Sequence, residues 1–244
     1  MKVWAHRGAS MVAPENTMAA FAKAHELGAD AIELDVHRTA DGVPVVIHDE
    51  TVARTTNGRG YIHSGSFAWV RSLDAGSRFH PNFRGEQIPS LEEVLAFVRS
   101  TSMSLNVEIK NNQVLYSGIE TEVVQLLDQY KMIDRTVLSS FNHDSVKKVR
   151  ALREDLSVAF LCTEFQPVNA LYAKQFGVQA LHPSIRVLNP NYMREALHLN
   201  IAIRPYTVDD EQTMRILQSW GVDAVITNDV ALGRQTVPLD EMGQ

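Results

Sequence analysis

The sequence predicts an α/β fold of the TIM (β/α)8-barrel class, and three observations carry that expectation. Short apolar, β-branched runs alternate with amphipathic segments along most of the chain, the pattern of βα units around a parallel sheet. The 244 residues match the size at which one barrel of about 250 residues is a common solution. The polar residues with chemistry in them stand at the ends of the apolar runs, where a parallel barrel builds its active face.

Taken in order, Val3–Ala5 is the first strand and hands over to His6 and Arg7. A helix follows to Leu27, with Asn16 as its expected cap and Gly28 as its left-handed exit. Ala31–Val36 and Val43–Ile47 are the next strands, and the short gap between them is too small for a helical crossover. Either that join is hairpin-like, or one strand candidate lies outside an eight-stave barrel.

The stretch Glu50–Pro89 has no clean period, but it holds Gly58, Gly60, Gly65, Gly76 and Gly85 with Phe67, Trp69, Phe79 and Phe83. Long irregular segments inside a domain are usually functional, and the aromatics suggest a small folded insertion after the His48 strand. Ser90 and Glu93 then form a capping box ahead of Leu91, Val94, Leu95 and Val98.

Strands are expected at Ser104–Ile109, Thr136–Ser139, Ser157–Leu161, Gln179–His182, Ile201–Tyr206 and Ala224–Thr227. Between them the helical periods fall at Gly118–Tyr130, Asp144–Arg153, Val168–Phe176 and Asn191–Leu199. Asp209 with Gln212 is expected to open the last strong helix, which ends near Trp220-Gly221. The expectation is one domain over 1–244 with an insertion at 50–89, and no internal repeat is visible.

Composition narrows the partners. Cys162 is the only cysteine, so no intrachain disulfide forms, which suits a reducing compartment. The apolar stretch in Met1–Gly8 is too short and too charged for a signal core. No run of about 18 uncharged apolar residues is present to span a membrane. The net charge of -6 with no basic stripe argues against nucleic acid. The reading is a cytoplasmic protein acting on a small molecule, with a homo-oligomer left open.

Alternation decides which side chains meet. In Ile32-Glu33-Leu34-Asp35-Val36, the period of two puts Glu33 and Asp35 on the face opposite the apolar residues. Asn106-Val107-Glu108-Ile109-Lys110 repeats the device, so Glu108 and Lys110 also face inward. Burying such charges unpaired costs several kcal/mol each. A hard divalent cation relieves that cost, because Mg²⁺ and Ca²⁺ take oxygen ligands, whereas zinc more often recruits His or Cys. His6 and His48 close or follow strands on the same face and suit acid and base roles. Arg7 offers a planar fork for phosphate oxygens and Lys110 a point charge.

Each of these has a bland alternative. A lone Glu-x-Asp is more often an ion-paired or solvated edge, and a lone His-Arg or His-Asp dipeptide is more often surface. Coincidence at one barrel face is what favours a site. His182 is expected at the mouth on the end of a late strand, and Tyr206 as an aromatic face for the organic part of a substrate. If Tyr206 points inward, Arg204 does too, either facing the site or paired below it. His37, His63 and His80 read as polar loop residues, His25, His143 and His198 as helix surface, and Cys162 as a small buried hydrophobe.

These residues resemble the glycerophosphodiester phosphodiesterase family. The resemblance lies in Ala5-His6-Arg7-Gly8, Ala13-Pro14-Glu15-Asn16-Thr17, Ile32-Glu33-Leu34-Asp35-Val36 and Asp41-Gly42-Val43-Pro44-Val45-Val46-Ile47-His48-Asp49. It continues through Arg54-Thr55-Thr56-Asn57-Gly58-Arg59-Gly60, Glu108-Ile109-Lys110, Ser139-Ser140-Phe141 and Tyr206-Thr207-Val208 to Ile226-Thr227. It implies a distorted TIM barrel, His6 and His48 as the acid/base pair, and Glu33, Asp35 and Glu108 holding Mg²⁺ or Ca²⁺, with Mn²⁺ a third choice. It also implies Arg7 and Lys110 on the phosphate of a glycerophosphodiester, cleaved to sn-glycerol 3-phosphate and an alcohol. Asn111, Tyr206 and Asp209 depart from the family's frequent proline, tryptophan and asparagine. The rival readings are a lysophospholipase D-like or phospholipase C-like enzyme on the same barrel, and a binding module without catalysis.

Overall fold

A computed structural model describes residues 1–237 of the chain; residues 238–244 of the expected single domain lie outside the described residues. The elements run β1 (Lys2–His6), α1 (Met18–Glu26), β2 (Ala31–Arg38), β3 (Pro44–Val46), α2 (Phe67–Arg71), α3 (Leu91–Arg99) and β4 (Ser104–Ile109). They continue with α4 (Ile119–Gln129), β5 (Thr136–Ser140), α5 (His143–Leu152), β6 (Ser157–Cys162), α6 (Ala170–Gln175) and β7 (Ala180–Pro183). The last are α7 (Pro190–His198), β8 (Ala202–Ile203), α8 (Glu211–Trp220), β9 (Ala224–Thr227) and α9 (Val230–Thr236).

The strands form a parallel ring in the order β8-β7-β6-β5-β4-β2-β1-β9, with β3 off this path and antiparallel to β2. Main-chain bonds from Asp223 N to the Ile203 carbonyl at 3.0 Å and from Ile226 N to the Pro205 carbonyl at 2.9 Å bring the two ends together. Both halves of the expectation for the Val36–Val43 join hold: it is a hairpin, and its second strand stands outside the barrel. Gly42 makes the turn possible at φ +88°, a conformation that costs most other residues. Thr39 closes the same turn, its N–H bonding the Val43 carbonyl at 3.0 Å.

Outward-facing Ile32, Leu34, Val36, Val107 and Ile109 join Leu91, Val94, Leu95 and Val98 of α3 in the main apolar cluster. Burying each such side chain contributes roughly 1.5–3 kcal/mol. A smaller cluster of Trp4, Ala31, Ala224 and Ile226 lies apart from the outer layer, on alternate strand positions turned inward, with Val137 and Tyr206 packed against it. The insertion has a core of its own, in which Val52, Ile62, Val70, Leu73 and Ala75 pack on Val45, Ile47 and Ile88. Among the described residues no helix is long and apolar enough to cross a membrane.

Several sequence expectations are corrected. Thr17, not Asn16, caps α1 by accepting from Ala20 N, and Asp210, not Asp209, caps α8 by accepting from Thr213 N. In both cases the displaced polar residue is engaged elsewhere: Asn16 bonds Asp35, and Asp209 bonds Asn228. The strand expected at Ile201–Tyr206 is reduced to Ala202–Ile203, because Pro205 has no N–H to donate to a ladder. His37 is not a loop residue but a fully buried member of β2. The helix α9 was not legible from its period.

Candidate active site

The C-terminal ends of β1, β2 and β4 place the chemistry. Register sets His6 beside Glu33 and Asp35 beside Glu108, so alternate residues of neighbouring strands point into one space. The cleft there is about 280 Å³ and is lined by His6, Arg7, Glu33, His48 and Glu108 on one side. Phe141, Leu161, Tyr206 and Ile226 line it elsewhere.

Glu33, Asp35 and Glu108 are all buried, and one oxygen from each lies within 4.8 Å of the others. Two cations face them. Lys110 Nζ is 2.8 Å from Glu108 Oε1 and 3.4 Å from Asp35 Oδ1, and Arg7 Nε is 3.4 Å from Asp35 Oδ2. Arg7 N–H, at φ +57°, donates to Glu33 Oε2 at 3.0 Å, and Asn16 Nδ2 donates to Asp35 Oδ2 at 2.9 Å.

The electrostatics are those of a site short of positive charge. Burial and the charges of Asp35 and Glu108 push Glu33 well above the usual carboxylate range. Burial lifts Glu108 to about 7 despite Lys110 beside it. Burial opposes ionisation of Asp35 too, but Lys110 and Arg7 outweigh it and hold that carboxyl well below its ordinary value. Three buried carboxylates against two cations leave an uncompensated negative charge, and the donors are all hard oxygen. Such a set fits a divalent metal cation.

The two histidines are held differently. His6 Nδ1 lies 2.8 Å from Asn228 Oδ1. The orientation of Asn228 follows from its other contact, since its Nδ2 donates to Asp209 Oδ2 at 2.6 Å. With an amide oxygen opposite, His6 Nδ1 must carry the proton, which leaves Nε2 as the proton-accepting nitrogen. Burial, then the Arg7 charge, pulls the His6 pKa to about 4. His48 Nδ1 instead donates to the Asp49 carboxylate at 2.7 Å, and Asp49 is fixed by Arg54. Burial also lowers the His48 pKa, while Asp35 acts against that shift.

A polar clamp backs His48. His37 Nε2 donates to the His48 carbonyl at 3.0 Å, so its Nδ1, 2.9 Å from the Tyr116 hydroxyl, must accept. Tyr116 N donates to Asn111 Oδ1 at 2.6 Å, and Asn111 in turn reaches Glu120 and Ser145. Asn111 thereby fastens the turn that carries Lys110.

Seven of the nine sequence candidates meet around the carboxylates: His6, Arg7, Glu33, Asp35, His48, Glu108 and Lys110. Tyr206 stands across the cleft, its hydroxyl donating to the Cys162 carbonyl at 3.1 Å and its ring edge-on to Phe141. His182 is corrected. It is fully buried away from the mouth, edge-on to Trp4, with Arg204 Nη1 3.4 Å from its Nε2. Arg204 resolves to the paired alternative, 2.6 Å from Asp223 and stacked over Trp4. Asn106, on the same strand face as Glu108, was readable from the alternation that revealed Glu108. Asn228, Asp209 and Tyr116 were not, since each acts through a contact distant in sequence.

The chain is similar to known proteins along most of its length. The pattern of the glycerophosphoryl diester phosphodiesterase family matches residues 6–232. A glycerophosphodiester phosphodiesterase of Caldanaerobacter subterraneus subsp. tengcongensis is 41% identical over 229 residues, covering 93% of each chain. A phosphodiesterase of Oleispira antarctica, solved with the product sn-glycerol-3-phosphate, superposes with a TM-score of 0.90 at 28% identity, covering 97% of this chain and 96% of that one. A structure from Silicibacter pomeroyi, described as a glycerophosphoryl diester phosphodiesterase, gives 0.88 at 26% identity, with 97% and 92% covered.

Proposed function

Since the chain belongs to the glycerophosphoryl diester phosphodiesterase family and is a phosphoric diester hydrolase, we propose that it cleaves glycerophosphodiesters to sn-glycerol 3-phosphate and an alcohol with His6 and His48 as its acid/base pair. One observation carries the reading: three buried carboxylates within 4.8 Å of one another, paired with Arg7 and Lys110, stand at a cleft lined by both histidines. The product held by the Oleispira antarctica relative supports the same substrate class. The proposed catalytic unit is the barrel together with its insertion at 50–89.

Glu33, Asp35 and Glu108 would hold Mg²⁺ or Ca²⁺, with Mn²⁺ as a third choice, and the ion when bound would supply Lewis-acid stabilisation of developing charge. Arg7 and Lys110 take up the developing negative charge from the protein side. His6 presents an unprotonated Nε2 and removes the proton of the attacking oxygen. His48, whose Nδ1 proton is held by Asp49, delivers its Nε2 proton to the departing alkoxide. Phe141, Leu161 and Tyr206 exclude water from one flank and orient the carbon frame of the substrate.

The test is a product assay on glycerophosphocholine and on bis(glycerol) phosphate, with Mg²⁺, Ca²⁺ or Mn²⁺ and with chelator. Free glycerol 3-phosphate that disappears in chelator is the expected result. Full turnover in chelator removes the metal assignment. Release of lysophosphatidate or a lasting cyclic phosphate from lysophospholipid, with none from the small diesters, moves the function to the lipid-cleaving rival.

A further inference from the structure

Beside the cleft lies a second depression of about 160 Å³, between the loop after β1 and the insertion. Ser10, Glu15, Arg54, Thr55, Arg78 and Phe79 shape it. It shares supports with the catalytic groups. Ser10 Oγ lies 2.8 Å from the His6 carbonyl oxygen, and Glu15 Oε1 accepts from Arg7 Nη1 at 3.0 Å.

A phosphodiester carries two organic arms on one phosphorus. The apolar flank of the cleft belongs to the ends of β5, β6 and β8, and β6 stands four staves from β1, across the ring. An arm laid on Phe141, Leu161 and Tyr206 therefore directs the other arm towards the β1 side, where the insertion overhangs. The geometry points to this depression as the subsite for the leaving alcohol, with a hydroxyl-rich or anionic head group as its ligand. The inference rests on the phosphodiesterase reading and adds its substrate preference.

Charge bookkeeping chooses the ligand. Glu15 has both oxygens engaged, Oε1 by Arg7 and by Arg54 Nη2 at 2.8 Å, and Oε2 by Arg54 Nη1 at 2.7 Å. Arg54 also binds both oxygens of Asp49. Every oxygen of Glu15 and Asp49 is thus engaged by a guanidinium, although Arg7 is shared with Asp35 of the acidic cluster. Arg78 has no ion pair or side-chain hydrogen bond among the described residues, so the depression is left with one free cation beside the Ser10 and Thr55 hydroxyls. A quaternary ammonium finds the lining carboxylate Glu15 already held by Arg7 and Arg54 and meets the like charge of Arg78. A polyol or an anionic group finds donors. The competing feature is the Phe79 ring, 43% exposed, whose face attracts cations.

The experiment compares glycerophosphoinositol, bis(glycerol) phosphate and glycerophosphocholine on the full chain and on Arg78→Gln, with saturating Mg²⁺. Arg78→Gln should raise KM for the inositol and glycerol substrates about tenfold, the scale of one charged hydrogen bond. It should leave the choline substrate within twofold and kcat unchanged for all. Equal effects on the three substrates overturn the assignment. So does a wild-type preference for choline that Phe79→Leu removes. If no diester is turned over, the phosphodiesterase reading fails by itself. Calorimetric affinities of the same diesters for the two chains then still decide the subsite: a head-group-dependent loss upholds it and identical values overturn it.

Discussion

At the residue scale, His6 and His48 are separated by what stands behind each ring. The amide oxygen behind His6 fixes a tautomer but carries no net charge, while the carboxylate behind His48 fixes a tautomer and adds a full negative charge. His6→Ala and His48→Ala should each lower kcat by about 10²–10⁴ with the circular dichroism spectrum unchanged; wild-type turnover in either would break the pair. His6 also leaves a signature on stability. Its folded pKa of about 4 lies below the ordinary 6.5, because burial and the Arg7 charge disfavour the imidazolium. Between those values the folded chain binds fewer protons than the unfolded one, so its contribution is present above pH 6.5 and is lost as pH falls towards 4. In metal-free protein, His6→Asn should shrink the difference between urea midpoints at pH 4.5 and 7.5. An unaltered difference would show that His6 is not held neutral by the fold.

At the element scale, β2 works on both of its edges. Its inward Glu33 and Asp35 supply two of the three clustered carboxylates, and towards its end His37 binds the carbonyl of His48, just beyond β3. Tyr116→Phe leaves His37 Nδ1 without its donor, at a cost of about 1–3 kcal/mol in stability. A several-fold fall in kcat with KM held is expected, and His37→Gln, which keeps a donor for the carbonyl, should retain more activity than His37→Leu. Equal losses in Gln and Leu variants would mean that the ring only fills space. The insertion depends on close main-chain approach: a Cβ at Gly76 would overlap the Phe83 carbonyl oxygen. Asp74 ties the same turn by accepting from the N–H groups of Gly76, Ser77 and Gly85. Gly76→Ala should therefore open residues 50–89 to limited proteolysis while the barrel keeps its spectrum. Protease resistance equal to wild type would contradict that strain.

At the scale of the whole molecule, the barrel brings three acidic groups together that the unfolded chain keeps apart. Their mutual repulsion opposes folding, and a cation binding only the folded state reverses it by linkage. At a hundredfold excess over its Kd, Mg²⁺ should add about 2.7 kcal/mol, roughly 5–10 °C in Tm for a chain of this size. The gain should vanish in a Glu33→Gln, Asp35→Asn, Glu108→Gln triple variant. A triple variant that Mg²⁺ still stabilises as strongly would place the ion elsewhere.

The sequence by itself determined the alternation of strands and helices, the inward turn of Glu33, Asp35, Glu108 and Lys110, and the hairpin-or-outside choice at Val36–Val43. These are local matters, fixed by a side-chain period of two and by a connection too short for a crossover. Only the tertiary structure decided that Asn16 and Asp209 leave their caps for other partners, that Arg204 pairs with Asp223, and that His182 is buried away from the mouth. It also brought His37 and Tyr116 behind His48, and Asn228 behind His6. Those roles depend on which polar group lies within about 3 Å across the ring, and nothing in the chain's local pattern encodes that distance.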